Sequence, residues 1–338
     1  MQMLHPMPDA PMPKPKRSPL VTAQGLTVDM PLGRGAANVR IVDNIDFSIG
    51  VGERVALVGE SGSGKSLTAR ALMRLDRLAR LSGRIDFDGT DLLKLPEREM
   101  TRYRGDSIAM VFQDPMSFLD PLMTIGDQVA ETLRIRGVGR TEARKRALAV
   151  LDELGVDRAA ERLDSYPHEF SGGMRQRVVL AMALVGEPRL LIADEPTTAL
   201  DVRVQDQVLD LLDDVSTRRG LAVLFITHDL GVVAGFAERV MVMYSGRIVE
   251  DGEVETVFAR PKHPYTRGLI KAVPRIDQDL HKLYAIPGAP PPPLARPSGC
   301  PFHPRCSEAF DRCRSELPVV LDVAGERVAC HLHDPLRA

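Results

Sequence analysis

The octapeptide Gly59-Glu60-Ser61-Gly62-Ser63-Gly64-Lys65-Ser66 constrains this chain more than any other stretch. It fits the phosphate-loop pattern G-x-x-x-x-G-K-[ST] at every fixed position. The apolar run Arg54-Val55-Ala56-Leu57-Val58 before it reads as a buried strand, and residues 67–75 after it read as a helix. Strand, loop, helix is the context in which the pattern has a mechanism. Its glycines let successive backbone N–H groups curl around phosphate oxygens, and the helix N-terminus adds partial positive charge. Lys65 is then placed to reach β- and γ-phosphates, and the Ser66 hydroxyl to ligate Mg²⁺. Average glycine usage makes a chance match about a one-in-a-hundred event in a chain of this length, and the flanking elements lower it further.

Charge excludes one class of partner. The 44 basic and 46 acidic residues balance to −2, so there is no basic stripe of the kind that marks nucleic-acid binding. The 338 residues, 44% of them apolar, suit one large domain with an appendage, or two modest domains. No apolar stretch reaches the roughly 18 residues of a membrane span; residues 178–193 come nearest and are broken by Gly186-Glu187-Pro188-Arg189. Residues 1–19 form a Met/Pro/Lys tail without a signal-peptide core, expected to be disordered, and the chain is expected to stay in the cytoplasm.

Alternating apolar residues over 20–28 and 39–49 predict antiparallel strands, and Arg84-Ile85-Asp86-Phe87-Asp88-Gly89 a strand entering a turn. Residues 123–163 are polar and helical in pattern. The compact apolar runs at 189–193, 222–226 and 239–243, separated by helical patterns, predict parallel strands buried on both faces. The expected architecture is α/β: a parallel core with an antiparallel layer near its start and a helical insert. Beyond residue 251 the texture changes. Pro287-Gly288-Ala289-Pro290-Pro291-Pro292-Pro293 reads as a stiff spacer before a segment holding all four cysteines.

Leu190-Leu191-Ile192-Ala193-Asp194-Glu195 places two carboxylates at the end of a buried strand, where parallel α/β sheets bind ligands. Asp194 is positioned to hold Mg²⁺ and Glu195 to polarise an attacking water. Taken alone, an Asp-Glu pair is more often solvated surface. In Phe170-Ser171-Gly172-Gly173-Met174-Arg175-Gln176, Ser171 can cap a helix beginning near Met174 while the glycines leave N–H groups bare for an anion. The bland reading is an ordinary capped helix ending at Gly186.

Ser171-Gly172-Gly173, about twenty residues before Asp194-Glu195, resembles the signature loop of the ABC ATPase family. Gln113 after Ile108-Ala109-Met110-Val111-Phe112 resembles the Q-loop glutamine, Ala199-Leu200-Asp201 the D-loop, and His228 after Phe225-Ile226-Thr227 the switch histidine. The resemblance implies a RecA-like parallel-sheet ATPase core over residues 20–260 with a helical signature subdomain at about 114–185. It further implies that two cassettes stack head to tail, so that Ser171, Gly172, Gly173 and Asp201 serve a nucleotide held mainly by the partner. Ser66, Gln113 and Asp194 would hold Mg²⁺, Glu195 would act as general base, and His228 would bond the γ-phosphate. The sequence departs from the family in reading Phe-Ser-Gly-Gly-Met at the signature. It also lacks an aromatic residue over 20–45 to stack on adenine, leaving an aliphatic side chain or an arginine such as Arg40.

Gln113-Asp114-Pro115-Met116-Ser117-Phe118-Leu119-Asp120-Pro121, the run from His168 to Arg177, and Pro261-Lys262-His263-Pro264-Tyr265-Thr266 resemble the ATPases of oligopeptide, dipeptide and nickel importers. This implies ATP hydrolysis driving uptake of peptides or a related solute. The implied partners are a second ATPase subunit, two transmembrane permeases and an extracytoplasmic solute-binding protein, with no nucleic acid, at the cytoplasmic face of the inner membrane. Residues 261–338 are expected to form a small irregular tail. Its Cys300, Cys306, Cys313 and Cys330, spaced C-x5-C-x6-C-x16-C, suit Zn²⁺ or a [4Fe–4S] cluster, since both take four thiolates. The absence of a C-x2-C pair and the importer resemblance favour the cluster; four inert thiols are the bland reading. Rival functions are an ABC ATPase acting on DNA or ribosomes, and an iron–sulfur redox sensor with a regulatory nucleotide site.

Overall fold

A computed structural model describes residues 17–33, 38–113, 115–196, 201–273 and 284–335. Residues 1–16 of the expected N-terminal tail, Asp114, and Ala199 and Leu200 of the D-loop-like segment lie outside the described residues.

Two sheets carry the chain. In the first, β1 (Pro19–Pro31) lies between β2 (Asn38–Gly50) and β4 (Arg80–Phe87), antiparallel to both, with the short β5 (Thr90–Asp91) beyond. In the second, five parallel strands run in the order β9 (Arg239–Tyr244), β3 (Arg54–Val58), β8 (Ala222–Thr227), β7 (Leu190–Asp194) and β6 (Ile108–Val111). This non-sequential order requires helical crossovers, and the helices leave both faces of the strands dry. Alternate residues therefore enter different cores. Leu190 and Ile192 join the antiparallel sheet and the helix Lys65–Leu72, whereas Leu191 and Ala193 face the helical insert. That double burial explains why these strands read as unbroken apolar runs rather than alternating ones.

The insert comprises helices Ile125–Ile135, Arg140–Glu153 and Ala159–Arg162, leading into Gly172–Leu184. Ser171 caps the last of these, its Oγ accepting from the Met174 N–H at 3.4 Å. This is the expected helix, starting two residues earlier.

The C-terminal segment holds more order than the irregular tail the sequence suggests. The antiparallel pair β11 (Leu321–Val323) and β12 (Glu326–Val328) adds to the parallel sheet through β10 (Arg247–Glu253). Tyr265 and Phe302 pack with Tyr244 of β9 in one aromatic cluster, with ring centroids 4.6 to 5.4 Å apart.

Candidate functional site: a phosphate loop facing two carboxylates

The loop between β3 and the helix Lys65–Leu72 is shaped by close approach. Gly59 has φ 152°, and a Cβ there would lie 2.1 Å from the Met243 carbonyl oxygen, so only glycine lets β9 run beside the loop. Gly64 caps the helix in the left-handed conformation. Lys65 is buried, and its Nζ donates to the carbonyls of Gly59 at 2.8 Å and Glu60 at 3.1 Å, closing the loop into a ring. Burial lowers its pKa, while Glu195, Asp194 and Glu60 act in the opposite direction. Ser63 Oγ is buried with no hydrogen-bond partner among the described residues.

Ser66 Oγ donates to Asp194 Oδ1 at 3.0 Å, joining the loop to the end of β7. Asp194 is buried, and burial pushes its pKa up against the Ser66 hydrogen bond. Ser66 and Asp194 are placed to hold a cation, whose charge would offset that penalty. Glu195 turns out of the strand with φ 49°, a left-handed backbone uncommon for glutamate, and its N–H is held by the Ile226 carbonyl at 2.9 Å. Its carboxylate meets Gln113 Nε2 at 3.4 Å and His228 Nδ1 at 3.2 Å. The ends of β3, β6, β7 and β8 thus bring Lys65, Ser66, Gln113, Asp194, Glu195 and His228 to one edge of the sheet.

Ser171, Gly172, Gly173 and Asp201 stand apart. Among the described residues they contribute no hydrogen bond to this group. Ser171 and Asp201 cap helices, Asp201 Oδ1 accepting from Val204 N at 3.0 Å, and Ser171 and Gly172 are exposed. Arg40, one of the two kinds of support expected for adenine, is half-exposed and pairs with Asp29 at 3.1 Å and Asp43 at 3.4 Å. Glu60 also departs from the expectation that the whole run faces phosphate. Its N–H donates to Tyr265 Oη at 2.8 Å and its carboxylate pairs with Arg305.

One connection was not singled out in the sequence. Buried Gln176 in the signature helix donates through Nε2 to the Pro196 carbonyl at 2.6 Å, just past Glu195. Its place five residues after Ser171, in the helix that Ser171 caps, was the available signal.

The metal expectation needs correction. Among the described residues, no three His, Cys, Asp or Glu side chains form a group that could hold a metal ion. The zinc alternative therefore has no centre at Cys300, Cys306, Cys313 and Cys330, and the iron–sulfur expectation gains no support from that test. The four cysteines are free thiols that line one small cavity of about 20 Å³ with His263, Phe302 and His331. Burial pushes Cys300 up to about 11 and Cys330 up to about 12, so neither is a thiolate by itself. His263 Nδ1 accepts from Tyr265 N at 3.0 Å, which leaves the proton on Nε2. That buried N–H has no partner among the described residues.

Residues 42–198 match the family model described as ABC transporter, and residues 249–313 match the one described as oligopeptide/dipeptide transporter, C-terminal region. The chain is 48% identical over 295 residues to the oligopeptide transport ATP-binding protein OppD of Salmonella typhimurium, covering 87% of this chain and 88% of that one. It is 46% identical over 318 residues to a Brucella abortus protein described as a peptide import ATP-binding protein, covering 93% and 95%. Among solved structures, the dimeric ATP-binding cassette MJ0796 bound to ADP and Pi superimposes with a TM-score of 0.61 at 30% identity, covering 69% of this chain and 98% of the cassette. CbiO1 from Clostridium perfringens gives 0.62 at 28% identity, covering 72% and 91%. The chain belongs to the ABC transporter ATPases. Within them it falls with the ATP-binding proteins of the oligopeptide/dipeptide transporter type, and the nucleic-acid and redox-sensor readings have no support.

Proposed function

We propose that this chain is one of a pair of ATP-hydrolysing subunits that drive peptide import through membrane-embedded partners. The observation that carries the reading is the meeting of Gln113 and His228 on the Glu195 carboxylate, one residue beyond the Asp194–Ser66 contact at the phosphate loop. The similarity to OppD over 87% of the chain supports peptides as the solute class. No helix of the described residues is long and apolar enough to cross a membrane, which fits a peripheral subunit working beneath separate permeases at the cytoplasmic face.

ATP bound with Mg²⁺ brings the phosphoryl group and the charge that these side chains are arranged to meet. Lys65 exchanges its two loop carbonyls for phosphate oxygens. Ser66, Gln113 and Asp194 would hold the cation, whose charge would offset that of the phosphates. Glu195 accepts a proton from water, oriented by its contacts with Gln113 and His228. Ser171, Gly172, Gly173 and Asp201, exposed or capping away from their own loop, serve the nucleotide of the opposing cassette. In liposomes carrying the permeases and solute-binding protein, the chain is expected to drive uptake of labelled di- or oligopeptides only with MgATP. ATP turnover without uptake of any peptide in a broad panel would sink the peptide assignment and leave the ATPase intact.

The four cysteines carry a finer proposal, a [4Fe–4S] cluster. The support is chemical: a cubane takes four thiolates, the four cysteines border one small cavity, and the orphan His263 N–H beside them is a donor suited to a sulfide. Anaerobic reconstitution of the full chain with iron and sulfide is expected to give a brown protein absorbing near 400 nm, as Fe–S centres do, with the absorbance lost on Cys313→Ser. A colourless product with reactive thiols would return them to structural residues.

A further inference from the structure

The N–H and carboxylate of Glu60, the second residue of the phosphate loop, are held from the C-terminal segment. Arg305 forks onto both carboxylate oxygens, Nη1 to Oε2 at 2.6 Å and Nη2 to Oε1 at 2.9 Å, and Tyr265 Oη accepts the Glu60 N–H at 2.8 Å. Arg305 is itself fixed. Its side chain is 4% exposed, its Nε donates to the Pro287 carbonyl at 2.9 Å, and its guanidinium lies 5.8 and 5.9 Å from the ring centroids of Tyr244 and Phe302. A planar fork locked on three sides matches a carboxylate in a way a flexible ammonium cannot.

The pairing has an electrostatic purpose. Three carboxylates, Glu60, Asp194 and Glu195, act on the Lys65 ammonium. Asp194 and Glu195 have tasks in the reaction, whereas Glu60 does not. Released from Arg305, its carboxylate could turn toward Lys65, whose Nζ already lies 3.1 Å from the Glu60 carbonyl oxygen. It would then compete with phosphate for the ammonium and repel the incoming triphosphate.

We propose that Arg305 is a positioning residue of the nucleotide site, which neutralises Glu60 and keeps its carboxylate away from Lys65 and the phosphates. This rests on the loop being the phosphate site, and it extends the site's machinery to the far end of the chain. Arg305→Met in the full-length protein is expected to raise the Kd for a fluorescent ATP analogue with Mg²⁺ about tenfold at low salt, and less at high salt, with kcat at saturating ATP changed less than about twofold. Adding Glu60→Gln to Arg305→Met should bring the Kd back to within about threefold of the parent, because the freed group no longer carries charge. A structural strut would behave differently: the double variant would bind as weakly as Arg305→Met, and that result overturns the proposal, as does unchanged affinity in Arg305→Met itself. Should Arg305→Met not fold, Arg305→Lys with and without Glu60→Gln makes the same comparison, since lysine cannot grip both oxygens. Failure of the parent chain to bind MgATP would instead remove the ATPase reading.

Discussion

Replacing Glu195 with Gln is expected to cut steady ATP turnover about a thousandfold, within the range a positioned general base contributes. The glutamine fills the same volume and can still meet Gln113 and His228, which lie 3.4 and 3.2 Å from the native carboxylate. What it lacks is an oxygen basic enough to take a proton from water. Binding and closure should therefore survive, and two chains should accumulate around uncleaved ATP. Phosphate release assays measure the first effect, and gel filtration with ATP, followed by counting the retained nucleotide, measures the second. Hydrolysis above about a tenth of the parent rate would transfer the proton-accepting role to another group.

The second large effect belongs to Lys65. Lys65→Ala is expected to weaken MgATP binding about a hundredfold or more, as truncating one member of a buried charge network does. The ammonium is buried against its own preference, its pKa lowered by desolvation while Glu195, Asp194 and Glu60 pull the other way. Without it, a triphosphate would enter a site holding two unneutralised carboxylates, and the carbonyls of Gly59 and Glu60 would lose their shared donor. Nucleotide titration reads the loss, and the circular dichroism spectrum separates it from unfolding. Affinity within about threefold of the parent would mean that the backbone N–H groups alone carry phosphate recognition.

Much of this site was legible in the sequence because its parts are local. The strand before Gly59 and the helix after Gly64 announce the loop, and four apolar residues before Asp194 announce a strand end. Ser171 caps the helix that its spacing from Met174 suggests. The unread parts depend on distant partners. Nothing in the neighbourhood of Glu60 points to Arg305, 245 positions away. The left-handed backbone of Glu195 follows from the way the chain leaves β7 against Ile226, not from any glycine-like residue. Arg40 reads as free to stack on a base until folding brings Asp29 alongside it across the hairpin. The three-residue strands of the C-terminal hairpin are too short to show a period, so the segment reads as irregular although it completes the sheet.

That hairpin has a practical bearing on how the protein can be divided. β12 satisfies backbone groups along β10, while Ala329 N donates to the Val249 carbonyl at 2.9 Å. A polypeptide cut after Glu253 would keep every residue proposed to meet phosphate or Mg²⁺. It would also present a raw strand margin to its neighbours, an invitation to edge-to-edge clumping. Shortened versions are therefore expected to aggregate through that margin and, lacking Tyr265 and Arg305, to bind nucleotide more weakly as well.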